Sequence, residues 1–203
     1  MKIVIVDYGM GNIRSIVSTF KYLGVNNIIV SDRHDDIRSA DKLLLPGVGS
    51  FAKAMSNIRA RDIDKYLNEE VIEKKKPILG ICLGAQLLCN GSEEDGGSVG
   101  LGYIDVECEK FKVSDVIVPH VGFNQISVNN VSKLYYDFDL IADFYFTHSF
   151  KLQNKGNIKQ SVCNYGGDFI ASYESDNIVG TQFHPELSQT NGLRLLKNFI
   201  EKF

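Results

Sequence analysis

The chain has 203 residues, a formal net charge of −3, 44% hydrophobic residues and 23% charged residues. That is globular composition: too apolar for a disordered chain, and without the basic excess of a nucleic-acid-binding surface. No stretch reaches the ~18 consecutive apolar residues of a membrane span, and the start shows no long apolar signal region, so the expectation is a cytoplasmic protein that binds neither nucleic acid nor membrane.

Residues 2–6 (KIVIV), apolar from Ile3 to Val6, are read as a buried first strand. The run breaks at Asp7-Tyr8-Gly9-Met10-Gly11. Ile13, Ile16, Val17, Phe20 and Leu23 then recur at helical spacing, and Gly24 stands where a helix is closed. Residues 27–30 read as a second strand, and the charged segment 32–38, which carries His34, as a solvated helix face. A third strand at 42–45 leads into Pro46-Gly47-Val48-Gly49. A helical stretch follows, broken near 59–62, whose apolar face continues through Ile63, Tyr66, Leu67 and Val71. Pro77 precedes a fourth strand at 78–81. Strands alternating with helices predict a mostly parallel sheet covered on both faces. Such sheets bind ligands beyond the carboxyl ends of their strands, where three glycine-rich loops fall: 7–11, 46–49 and 80–84.

From residue 101 the pattern changes. Short strands are predicted at 103–108, 116–118, 125–128, 144–147, 160–164, 169–173 and 178–182. Turn chemistry separates them at 129–130, 154–157, 166–167 and 175–177. They read as antiparallel strands added to the parallel sheet. A last helix, 189–201, carries Leu193, Leu196, Phe199 and Ile200 on one face. No repeat or linker interrupts the chain. The expected architecture is one α/β domain over residues 1–203, a mostly parallel central sheet with flanking helices and added antiparallel strands.

Gly80-Ile81-Cys82-Leu83-Gly84 lies between a buried strand and a helical pattern. Small residues on either side permit a tight turn that lifts a nucleophile above the sheet. The Leu83 N–H then faces a developing oxyanion, and the helix start favours a thiolate. A free thiol, with a pKa of ~8.5, needs a base to be a nucleophile at neutral pH. Thr181-Gln182-Phe183-His184-Pro185-Glu186 supplies an imidazole and a carboxylate two residues apart. Pro185 forces His184 out of the helical region, and an extended chain sets residues i and i+2 on one side. Cys89, Cys108 and Cys163 read as small buried hydrophobes, and the four cysteines have neither disulfide nor metal spacing. His148, at a strand end, either lines the site or is packed. His120 reads as a surface or interface residue, and Glu93, Glu94 and Asp95 as a solvated turn. The glycines at 7–11 and 96–102 do not complete a phosphate-loop spacing.

Together the PGVGSF loop, the GICLGAQLL elbow and the TQFHPE ending, in the order Cys, His, Glu, resemble the class I (triad) glutamine amidotransferases. VDYGMGN at the start, PHVGFNQ at 119–125, FYFTHSF at 144–150, CNYG at 163–166 and LSQTNGLRLLKNF near the end narrow the resemblance to the glutaminase subunits of imidazole glycerol phosphate synthase. The resemblance implies that Cys82 attacks the side-chain amide of glutamine. His184, oriented by Glu186, would protonate the departing ammonia, and a glutamyl thioester would be hydrolysed. It implies an oxyanion hole at Leu83 and at Val48 or Gly49, and substrate contacts at Gln86, Thr147, His148 and Ser149. A partner face would include Asn12, His120, Phe123, Asn124 and Leu187. No metal or organic cofactor is implied. The implied partner is a separate (β/α)₈-barrel cyclase that receives the ammonia for histidine biosynthesis. Phe123 stands where the family mostly has Trp, and Leu187 where it mostly has Lys or Arg. Alternatives are a paralogous glutaminase feeding amidino-sugar formation in surface polysaccharides, a cysteine hydrolase of other amides, and a scaffold that has lost activity.

Overall fold

The computed structural model describes residues 1–111, 116–153 and 158–203. In chain order its elements are β1 (Lys2–Val6), α1 (Ile13–Tyr22), β2 (Asn27–Ser31), α2 (His34–Ser39), β3 (Lys42–Leu45), α3 (Phe51–Ala60), α4 (Ile63–Leu67) and a π turn (Asn68–Glu73). Then come β4 (Ile78–Ile81), α5 (Leu83–Leu87), β5 (Cys89–Ser92), β6 (Ser98–Val99) and β7 (Ile104–Lys110). The remainder is β8 (His120–Ser127), β9 (Ile141–His148), β10 (Phe150–Leu152), β11 (Lys159–Asn164), β12 (Asp168–Ser175), β13 (Ile178–Thr181) and α6 (Gln189–Lys202).

All these strands belong to one sheet in the order β2-β1-β3-β4-β13-β12-β10-β7-β5-β6, with β11, β8 and β9 branching from β12. The five strands from β2 to β13 are parallel, and β12, β10 and β7 continue the sheet in antiparallel sense. The sheet therefore has the expected parallel centre with antiparallel additions. Its apolar strands face two cores in alternation, as a pleated strand must when both faces are covered. Val4, Val6, Leu43, Leu45 and Ile78 enter one core with α3 and α4. Ile3, Ile5, Leu44, Leu79 and Ile81 enter the other with α1 and α6.

Some expectations fail. Residues 116–118 form no strand. Ile117 is 80% exposed, so the segment has no face to bury, and its carbonyl bonds the Tyr165 hydroxyl instead. The strand expected at 125–128 begins at His120, because β8 pairs β9 over its full length. β5 (CNGS) has no apolar alternation and exists because β7 pairs with it. The turn expected at 154–157 lies outside the described residues. No helix among the described residues is long and apolar enough to cross a membrane.

Candidate active site

The loops after β1, β3 and β4 meet at one end of the parallel strands. Cys82 follows β4 with φ 52° and ψ −111°, a conformation that costs an L-residue energy and persists only where its surroundings enforce it. They do so by packing the flanking glycines. A Cβ on Gly84 would overlap the Leu45 main-chain oxygen, and one on Gly80 would lie 2.7 Å from the Ala85 backbone. The elbow is thus wedged against the end of β3. α5 is only five residues long, so the local amides there matter more than a helix macrodipole.

The loop after β3 is held from below. The Tyr8 hydroxyl donates to the Pro46 oxygen at 2.5 Å. Burial, and secondarily the neighbouring Cys82, push the Tyr8 phenol above its ordinary range. A cavity of about 530 Å³ opens over Cys82, walled by Val48, Gly49, Leu83, Gln86, Thr147, His148 and Ser149 among others. Every residue the resemblance assigned to oxyanion or substrate binding is therefore on its wall.

His184 and Glu186 lie behind the sulfur, outside that wall. His184 is extended (φ −99°, ψ 96°), and Pro185–Leu187 forms a 3₁₀ turn. The imidazole and carboxylate thus meet through a tight turn, not along a continued strand as their i, i+2 spacing suggested. Nδ1 of His184 stands 2.8 Å from Glu186 Oε1, with side chains 3% and 1% exposed. The His184 main-chain N–H donates to the Tyr145 oxygen, and Ser188 Oγ donates to the His184 oxygen at 2.6 Å. Burial opposes protonation of His184. Bonding and charge from Cys82 and Glu186 outweigh it, and the imidazole pKa is pushed up to about 10. The buried Nε2 makes no hydrogen bond of normal geometry, and the nearby Cys82 is the largest of the influences that raise the imidazole pKa. A buried imidazole oriented by a carboxylate beside a thiol is an arrangement of base and nucleophile.

His120 is not the surface residue its sequence neighbours suggested. It is 3% exposed, stacked on Tyr165 at 3.9 Å and on Phe146 at 4.8 Å. Its Nδ1 lies 3.0 Å from His148 Nε2, and His148 Nδ1 lies 2.7 Å from the Phe150 oxygen. Burial pushes His148 down to about 3 and His120 to about 4. The Phe150 carbonyl pulls His148 the other way, while His120 and His184 add to the fall. Asn12, Phe123 and Leu187 are exposed, and Asn124 is half-buried.

The turn at 93–95 is not simply solvated. Glu94 Oε2 accepts the Phe51 N–H at 2.9 Å at the start of α3, and Asp95 accepts from Ser50. These carboxylates tie the helix that follows the 46–49 loop. His34 likewise stacks on Tyr66 and pairs with Glu69 at 3.2 Å. With Glu70 it forms the one metal-like group among the described residues. Lys74 and Lys76 already neutralise both carboxylates, at 2.6–2.7 Å, so the group reads as an ion-pair network. The four cysteines are free and buried.

Sequence reasoning gives no role to three residues that the structure brings to the site: Tyr8, Ser188 and Gln182. Gln182 is fully buried, with Nε2 3.9 Å from Cys82 Sγ. A polar residue closing a buried apolar strand was the available signal.

An elbow cysteine backed by a buried His–Glu pair, on a parallel sheet with this order, defines a triad amidotransferase, and the chain belongs to the class I glutamine amidotransferase family, whose model matches residues 4–203. Among its relatives, it is 44% identical to the imidazole glycerol phosphate synthase subunit HisH 1 of Campylobacter jejuni (strain RM1221), covering 98% of each chain. It is 45% identical to subunit HisH 2 of Vibrio vulnificus (strain YJ016), covering 99% of this chain and 94% of the relative. The fold also matches a crystal structure of a glutamine amidotransferase (TM-score 0.75, 19% identity, 98% and 97% coverage) and PurLQS from Thermotoga maritima (TM-score 0.71, 19% identity, 98% and 97% coverage).

Proposed function

We propose that the chain is the glutaminase subunit of an imidazole glycerol phosphate synthase, one domain that hydrolyses glutamine and hands ammonia to a separate (β/α)₈-barrel cyclase in histidine biosynthesis. The convergence of Cys82, His184 and Glu186 beside a cavity walled by Gln86, Thr147, His148 and Ser149 carries this reading, and the full-length identity to HisH subunits supports it. Cys82 attacks the glutamine side-chain amide. His184, charged and oriented by Glu186, gives its proton to the leaving nitrogen. The resulting thioester is hydrolysed to glutamate. Leu83 with Val48 or Gly49 serves the oxyanion, where loss of one donor costs ~10²–10³ in turnover. Both amide protons of Gln86 are spent on Phe150 and Gln182, so its Oε1 is the atom left to accept from the substrate.

The chemistry of the product supports a partner. Ammonia free in neutral water is mostly ammonium, which is not a nucleophile, so a biosynthetic glutaminase needs an enclosed acceptor site. Val48, Val121, Phe123 and Leu187 keep 40–57% of their surface exposed near this end of the sheet. An exposed apolar set of this kind fits a docking face, with Asn12 and Asn124 as polar members.

The test is glutamine hydrolysis by the purified chain, alone and with a barrel cyclase. Glutamate release that rises with the cyclase, and vanishes in Cys82→Ala, supports the reading. Hydrolysis of unrelated amides without a partner would overturn it. Ammonia transfer only to a sugar-modifying synthase would assign the chain to the amidino-sugar role.

A further inference from the structure

We infer that Gln182 is a further residue of the reaction, which holds the Cys82 sulfur in its ionised form through an amide N–H whose direction is dictated by Gln86 and the Phe150 carbonyl. This rests on the reading of Cys82 as the nucleophile. The polarity follows from one group. The Phe150 oxygen can only accept, so the Gln86 atom 3.0 Å from it is Nε2. The Gln182 atom 3.1 Å from that same nitrogen must then be an acceptor, Oε1. Gln182 Nε2 is thereby left facing the sulfur at 3.9 Å. The same carbonyl accepts a hydrogen bond from the His148 Nδ1–H. It therefore also fixes His148 Nε2 as the acceptor for His120.

The surroundings of the sulfur give this N–H a specific use. Cys82 Sγ has two other neighbours of note: the Thr147 oxygen, to which the thiol donates at 3.8 Å, and His184. When the proton leaves, the Thr147 contact loses its hydrogen and sets a lone pair against a negative sulfur. The Gln182 N–H and the imidazolium are then the favourable contacts that remain. Hydrogen bonds to the charged form favour that form, and the effect is largest where water is excluded. Gln182 adds no charge of its own, so it leaves the His184–Glu186 pair undisturbed.

The test is iodoacetamide alkylation of the full chain against pH, with the adduct mapped by mass spectrometry, for the parent, Gln182→Met and Gln86→Met. Methionine keeps the length and removes the amide. In Gln182→Met, alkylation of Cys82 at neutral pH is expected to slow about tenfold, the effect of losing one hydrogen bond to an ionised group. The half-maximal pH should move upward while the alkaline plateau is retained. Gln86→Met, which frees the Gln182 amide to turn, is expected to move the half-maximal pH the same way by less, and it tests the idea even where Gln182→Met does not fold. A half-maximal pH unchanged in the folded variants, or a lowered plateau alone, would show Gln182 to be packing only. The readout needs neither glutamine nor cyclase. Failure of glutamine hydrolysis in the parent would overturn the proposed function and leave this result standing.

Discussion

Glu186 Oε1 lies 2.8 Å from His184 Nδ1, and neither side chain has appreciable contact with solvent. A buried carboxylate with one partner fixes both the tautomer and the ring plane of that partner. Glu186→Gln keeps the shape but removes the charge that holds a proton on the ring. The expected result is a fall in glutamine turnover of ~10²–10⁴, measured by steady-state kinetics on the complex with the cyclase. Turnover equal to the parent's would remove Glu186 from the mechanism.

Cys82 should be the thiol that a glutamine-like electrophile modifies first. Burial pushes Cys108 well above its ordinary range and Cys163 up to about 12, and among the cysteines only Cys82 borders the cavity. Peptide mapping after brief exposure to such a reagent should find the adduct at residue 82. Equal labelling of all four thiols would contradict the assignment.

Acid should weaken the fold through His120 and His148. Their folded-state values lie near 4 and 3, whereas an unfolded histidine titrates near ~6.5. Below ~6.5 the unfolded chain therefore binds protons that the folded chain refuses, and stability falls as pH drops toward 4. Urea unfolding of the parent and of His148→Gln measures this. The variant should lose up to ~1.4 kcal/mol per pH unit of the slope in that window. Identical slopes would show that His148 does not titrate as described.

Gly84→Ala should be among the most damaging single changes. Its new Cβ would overlap the backbone at the end of β3, and backbone atoms in a central strand cannot step aside. A loss of ~3 kcal/mol or more is expected by denaturant titration. Gly102→Ala meets no atom within 4 Å but sits at φ +71°, and should cost only ~1 kcal/mol. Equal losses at the two positions would refute the steric argument.

The parallel half was legible because β1, β3 and β4 are short apolar runs that end in glycine loops, and burial on both faces leaves little else for such runs to be. Cys82 was legible for a related reason: two glycines around a cysteine at a strand end have few other uses. What stayed hidden depends on partners distant in the chain. Glu94 reaches the start of α3 across 43 positions, and nothing near residue 94 announces it. His120 is covered by the Tyr165 ring, so its neighbours Pro119 and Val121 suggested a surface it does not occupy. The role of Gln182 depends on a main-chain oxygen at residue 150, which no side-chain pattern encodes.

The pairing of β8 with β9 has a mechanical consequence. Phe123 lies opposite Tyr145 in the register and touches its ring, with centroids 5.6 Å apart. The Tyr145 oxygen accepts the His184 main-chain N–H, and its own N–H is bonded to Ser188. A body pressing on Phe123 would push on Tyr145, whose main chain is bonded to both His184 and Ser188. The exposed Phe123 ring and the His184 main chain are thus separated by a single cross-strand step.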